Sequence, residues 1–103
     1  MAVAELFRAL GDPTRLEMVR RLSKGTPYTI SSVSSGLEIS RQGARKHLQI
    51  LVDAKIIKLV PKGRDTDVVL LRNTLDQGRA FIEKLELQWD QRLEALRHFV
   101  DEK

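Results

Sequence analysis

The stretch from Thr29 to Val52 constrains the chain most, because apolar residues recur at helical spacing on both sides of a short, helix-breaking turn. Ile30, Val33 and Leu37 fall at i, i+3 and i+7 behind Thr29, whose hydroxyl suits a helix N-cap. The serines at 31, 32, 34 and 35 are weak helix formers, so this helix is expected to be short. Gly36 and Leu37 lead into a tight turn, and Ser40 then caps a second helix whose inward face is Ala44, Leu48, Leu51 and Val52. Two helices joined by a short turn form a helix-turn-helix, expected here over about 29–54.

The flanking segments extend this unit in both directions. Val3, Leu6, Phe7 and Leu10 have helical spacing, and Gly11-Asp12-Pro13 ends that helix and starts another, with Asp12 as its cap. The second helix is expected to bury Leu16, Val19 and Leu22 before Lys24-Gly25. Ile56 to Val60 reads as a strand, Lys62 to Asp65 as a turn, and Asp67 to Leu71 as a returning strand, forming a hairpin wing over about 56–71. Asn73 or Thr74 should cap a last helix over about 74–100, with an apolar stripe of Phe81, Ile82, Leu85, Trp89, Leu93, Leu96 and Val100. The expected fold is mainly α with a two-stranded β-hairpin, in the order α-α-α-α-β-β-α, as one domain over residues 1–103.

Charge is distributed unevenly along this plan. Residues 40–64 hold seven basic residues (Arg41, Arg45, Lys46, Lys55, Lys58, Lys62 and Arg64) and one acid, Asp53; the other 78 residues hold 11 basic and 13 acidic. Positive charge gathered on one segment is the footprint of a polyanionic partner. With Ala44, Leu48 and Leu51 facing inward, Arg41, Gln42, Arg45, Lys46 and Gln49 are left on the outer face of the second helix. Arg and Gln can bond guanine and adenine edges bidentately, and the helix start at Ser40 and Arg41 can meet a phosphate. Lys58, Lys62 and Arg64 lie on or beside the hairpin tip at Gly63. Alone, that tip would be an ordinary solvated turn; directly after a basic helix it suits groove or backbone contact. The candidate DNA-binding residues are therefore Ser40, Arg41, Gln42, Arg45, Lys46, Gln49, Lys62 and Arg64.

The same residues resemble a known family. Leu6 to Leu16, containing Ala9-Leu10-Gly11-Asp12-Pro13-Thr14-Arg15-Leu16, is similar to the opening segment of the ArsR family of winged helix-turn-helix regulators. Ser40 to Leu48 fits the family's recognition-helix pattern S-x-x-x-x-S-K-H-L, with Arg45 in place of the common Ser, and Gly63-Arg64 fits its wing. The last helix, with Trp89 and Leu93, resembles that of a cysteine-free branch. The resemblance implies a homodimer in which the first and last helices pair across a two-fold axis. The length of the last helix argues the same way, since so small a monomer cannot bury its whole stripe. Phe7, Phe81, Ile82, Leu85 and Trp89 are the candidate dimer residues. Two recognition helices about 34 Å apart would match one DNA turn and a near-palindromic operator.

Other chemistries find little support. The chain has no cysteine, which removes disulfides, thiolate metal sites and cysteine nucleophiles. Metal sensors of this family use cysteines in the third helix, where this chain has serines, or paired histidines and carboxylates on the last helix. Here that helix offers His98 with Glu94, Asp101 and Glu102, which reads as a solvated helix end, so no metal or cofactor is expected. His47 is expected to pack or to contact phosphate. No nucleophile–base pair or phosphate-cradling glycine loop points to an enzyme. The start of the chain lacks a signal-peptide pattern, and its longest aliphatic run, Val68 to Leu71, is far short of the roughly 20 residues of a membrane span, so a cytoplasmic protein is expected. The expected function is sequence-specific binding of double-stranded DNA, as a repressor. The alternatives are a protein-interaction module on the same scaffold and a sensor responding to a small-molecule or protein effector.

Overall fold

The structure, a computed structural model, describes residues 2–101. Its elements are α1 (Ala2–Leu10), α2 (Pro13–Leu22), β1 (Tyr28–Thr29), α3 (Ile30–Val33), α4 (Arg41–Asp53), β2 (Ile57–Lys62), β3 (Asp65–Leu70) and α5 (Arg72–Asp101). The break between α1 and α2 works as its sequence suggests. Pro13 opens α2, and the Asp12 carboxylate accepts from the backbone N–H groups of Thr14 (2.8 Å) and Arg15 (3.1 Å). The core gathers Leu6 and Ala9 from α1, Met18, Val19 and Leu22 from α2, Val33 from α3, Ala44, Leu48 and Leu51 from α4, and Ile56, Ile57 and Val68 around the sheet.

Three expectations need correction. Leu16 is 51% exposed, whereas Met18 is fully buried. The inward sector of α2 is set by Met18, Val19 and Leu22, and Arg15 rather than Leu16 completes it, because the Arg15 guanidinium finds acceptors there. The two-stranded hairpin gains a third strand. Tyr28 and Thr29 pair antiparallel with Val68 and Asp67, giving the order β1-β3-β2. Two residues are too few to show strand alternation, and Thr29 also carries the cap signal of α3, accepting from the Ser32 N–H. Finally, α5 starts at Arg72, so neither Asn73 nor Thr74 caps it. The buried Thr74 hydroxyl instead donates to the Lys55 carbonyl at 2.5 Å, fastening the start of α5 to the end of α4.

The hairpin is longer than its hydrophobic pattern suggests. Its register runs from Ile57↔Leu70 to Lys62↔Asp65, leaving Gly63 and Arg64 as a two-residue turn with Gly63 at φ 62°. α5 runs for 30 residues, about 45 Å, and every residue from Ile82 to Val100 is exposed. The molecule accordingly measures 70 × 25 × 25 Å, and its radius of gyration is 18.8 Å, against about 13 Å for a compact chain of this length. Among the described residues, no helix is long and apolar enough to cross a membrane.

Candidate nucleic-acid interface

The outer face of α4 is basic because its inner face is fully used. Ala44, Leu48 and Leu51 are buried, while Arg41, Gln42, Arg45 and Lys46 are exposed. Ser40 starts the helix, its hydroxyl accepting from the Gly43 N–H at 3.0 Å. A Cβ at Gly43 would sit 3.3 Å from that hydroxyl, so this glycine leaves room for the cap.

The helix is held at its middle by a polar junction to α1 and α2. The Arg15 side chain donates to the Ala9 carbonyl (2.7 Å) and lies 3.1 Å from His47 Nδ1, and Asp12 stands 3.9 Å from the same nitrogen. His47 therefore packs inward against this junction. Backbone N–H bonds, first from Arg15 and then from Thr14, hold the Asp12 carboxyl below its ordinary value against the opposing effect of burial. On the other side, Arg21 donates to the carbonyls of Val33 (3.1 Å) and Ser35 (2.6 Å), tying α3 and its following turn to α2.

Two concavities flank Arg45. One, of about 320 Å³, lies between α3, α4 and the wing and is lined by Ser31, Arg41, Arg45, Arg64, Asp65 and Thr66 among others. The second, of about 500 Å³, lies between α4 and the wing and is lined by Gln42, Arg45, Lys46, Gln49, Leu59 and Thr66 with Ile30 and Leu48. Arg41, Gln42, Arg45, Lys46, Gln49 and Arg64 are thus brought to one side of the molecule by two segments about 20 residues apart in sequence. Lys62 stands at the end of the hairpin, paired in register with Asp65, and lines neither concavity. Two of the expected residues already have a partner: Ser40 through its cap, and Gln49, whose amide donates to Asp53 Oδ1 at 2.8 Å.

The structure adds residues that sequence reasoning missed. Ser31, Asp65 and Thr66 share the concavity with the arginines, and Arg15 and Asp12 position α4 from behind. No periodicity marks them, because each acts across elements. The Ser31–Ser35 run was the one available hint: its polar side chains are weak for a helix yet suit a wetted cleft.

The candidate dimer residues lie on one surface formed by α1 and α5. Phe7 and Phe81 contact each other, with ring centroids 6.2 Å apart at 53°, so Phe81 is half-buried within the monomer. Ile82, Leu85 and Trp89 follow it outward and are 45%, 49% and 57% exposed. At the far end Glu94 pairs with Arg97 at 3.8 Å, and Glu102 lies outside the described residues. Among the described residues no group of three or more His, Asp or Glu side chains is placed to hold a metal ion.

This architecture is similar to that of known regulators. A family model described as a helix-turn-helix domain matches residues 10–60. The solved structure of an ArsR-like transcriptional regulator from Rhodococcus sp. RHA1 superposes with a TM-score of 0.82 at 31% identity, over 95% of this chain and 92% of that one. Another, an ArsR family transcriptional regulator, superposes with a TM-score of 0.80 at 26% identity, over 86% of this chain and 91% of that one. An HTH-type transcriptional regulator of Methanocaldococcus jannaschii is 33% identical over 60 residues, which is 58% of this chain and 67% of that protein.

Proposed function

The chain belongs to the ArsR family of winged helix-turn-helix transcriptional regulators, and from that premise we propose that it represses transcription by occupying a near-palindromic operator as a homodimer. Its family and fold relatives are DNA-binding regulators, not enzymes. The observation that most supports the finer reading is the division of α4. Three apolar residues are sunk in the core, and four exposed cationic or amide side chains point the other way, beside the Arg64-bearing wing.

On this reading α4 enters the major groove. Arg41, Gln42 and Arg45 read base edges, each good bidentate pair worth about 1–3 kcal/mol of discrimination. Gln49 stands beside them with one amide N–H donated to Asp53. Lys46, Lys62 and Arg64 hold phosphates, and Ser40 keeps the helix start formed so that its backbone N–H groups can do the same. The second copy supplies the other half-site, and the bound pair blocks polymerase.

Selection of bound sequences from random duplex DNA at physiological salt tests this reading. A near-palindromic consensus with half-sites one helical turn apart is the expected result. Failure of any duplex to shift, at low or physiological salt, would remove DNA as the partner and favour a protein-interaction role for the same surface.

A further inference from the structure

The inward face of the sheet is left uncovered toward the hairpin end. Leu59 and Val68 are partners in register on β2 and β3, so their side chains lie on the same face. Val68 is 5% exposed, whereas Leu59 is 37% exposed. Along β2, Ile57 shares that face with Leu59 by strand alternation, yet Ile57 is 1% exposed. The core therefore closes over Ile57 and Val68 and opens at Leu59. What opens there is the concavity of about 500 Å³ between α4 and the wing, whose apolar floor is Leu59 with Ile30 and Leu48. These three side chains come from three elements, α3, α4 and β2.

The rim of the same concavity is cationic. Arg45 and Lys46 line it, and among the described residues no acidic side chain does. Neither of these two side chains makes a hydrogen bond or ion pair among the described residues. DNA accounts for the rim but not for the floor. Phosphates and base edges are polar, and the one apolar group that the major groove presents is the thymine methyl. Three aliphatic side chains offer more apolar surface than one methyl covers. A space of about 500 Å³ falls within the roughly 300–1,000 Å³ of small-molecule sites, which are mostly apolar with a few placed polar groups. An apolar floor beneath two unpaired cations is complementary to an organic anion with an apolar body. A single carboxylate suits it, because a guanidinium takes a carboxylate bidentately and one charge costs less to desolvate than the two of a phosphate.

We propose that the concavity between α4 and the wing binds an organic monocarboxylate, with an apolar body about the size of a naphthalene ring, and that this ligand and operator DNA exclude each other. The carboxylate meets Arg45 and Lys46, and the ring lies on Ile30, Leu48 and Leu59. The same two cations are assigned above to a base edge and a phosphate, so the exclusion rests on that DNA reading, whereas the site itself does not. A bound ligand neutralises both cations and fills the space between helix and wing. Control is then direct competition at the reading face, and no shape change has to travel through the fold. For each site that must empty before DNA binds, ligand at about a hundred times its own dissociation constant weakens operator binding about a hundredfold.

Naphthoate is the probe, titrated into the full chain without DNA and followed through the backbone amide signals in nuclear magnetic resonance. Saturable shifts centred on Ile30, Arg45, Leu48 and Leu59 are expected. Naphthamide, which has the ring but no charge, and acetate, which has the charge but no ring, should each bind about tenfold or more weakly. Leu59→Trp fills the concavity with a larger apolar side chain and should lower naphthoate affinity about tenfold or more. Arg45→Gln leaves the floor intact and should do the same, so the result does not hang on the folding of one variant. No saturable shift at millimolar naphthoate, or shifts confined to another surface, would overturn the site. A duplex obtained by the selection described above is then challenged with naphthoate at constant ionic strength, and its release is expected. A duplex that stays bound while naphthoate occupies the site would overturn the exclusion and leave the DNA reading standing. A chain that shifts no duplex would end the DNA reading and the exclusion with it, while the naphthoate titration decides the site independently.

Discussion

At the scale of single residues, Lys55 carries the clearest strain. It has φ 60°, in the left-handed region, one position past the Ala54 cap of α4. The Ile56 N–H bonds to the Leu51 carbonyl (3.0 Å) and the Lys55 N–H to that of Val52 (2.9 Å), a helix ending that usually places glycine where Lys55 sits. Lys55→Gly should therefore stabilise the fold by about 1 kcal/mol, offset in part by the greater freedom of glycine in the unfolded chain. The check is thermal melting at fixed protein concentration, with a rise of up to about 4–8 °C expected for a chain this size. Asp12 makes a prediction of the other kind. Its carboxyl is held below the ordinary value by backbone N–H bonds from Arg15 and Thr14. Its contribution to stability is thus fully present above the unfolded aspartate value of about 3.9 and is lost as pH falls through the lower folded value. Asp12→Asn keeps a good cap but no charge, so its denaturation midpoint should show a weaker acid dependence than the wild type. Equal slopes for the two proteins below pH 5 would contradict this assignment.

At the scale of elements, two junctions place the recognition surface. The Thr74 hydroxyl bond to the Lys55 carbonyl locks the α4 end to the α5 start, and Thr74→Val leaves that carbonyl without its partner. A loss of about 1–2 kcal/mol in denaturant unfolding is expected. The division of labour within α4 and the wing is testable by comparing variants on matched and mismatched duplexes. Arg45→Ala, at the position lining both concavities, should relax preference at one base position. Lys62→Ala, at the hairpin end and opposite Asp65, should weaken all sequences to a similar degree. Wild-type behaviour in both would show that the base-reading face lies elsewhere. The helices and their order were legible because capping residues and 3.6-residue spacing are local signals. β1 was not, because two residues carry no period, and the Leu16 assignment failed because Arg15 found acceptors in the slot an apolar residue was expected to fill.

At the scale of the whole molecule, most of α5 stands clear of the globular part, and the function proposed here depends on what covers it. If the two copies act together on one duplex, replacing both Leu85 and Leu93 by Glu should give a monomer by sedimentation. Operator affinity should then fall by about 10²–10⁴-fold, the usual gain from linking two sites. Binding by the intact dimer should also weaken steeply with salt. A pair making 6–10 phosphate contacts loses about 10³–10⁵ in affinity between 50 and 200 mM salt. A flat salt response would show that the basic segment does not face the phosphate backbone.

The amino-acid sequence by itself determined where α2, α3 and α4 start, which face of α4 is apolar, and where positive charge gathers, because each depends on residues within a few positions of one another. Only the tertiary structure decided that Arg41, Arg45 and Arg64 share one concavity with Asp65, that His47 turns inward to Arg15, and that α1 covers one end of the α5 stripe and leaves the rest open. Those facts depend on contacts between segments far apart in the chain. No periodicity records them, because the neighbour that satisfies each side chain belongs to another element.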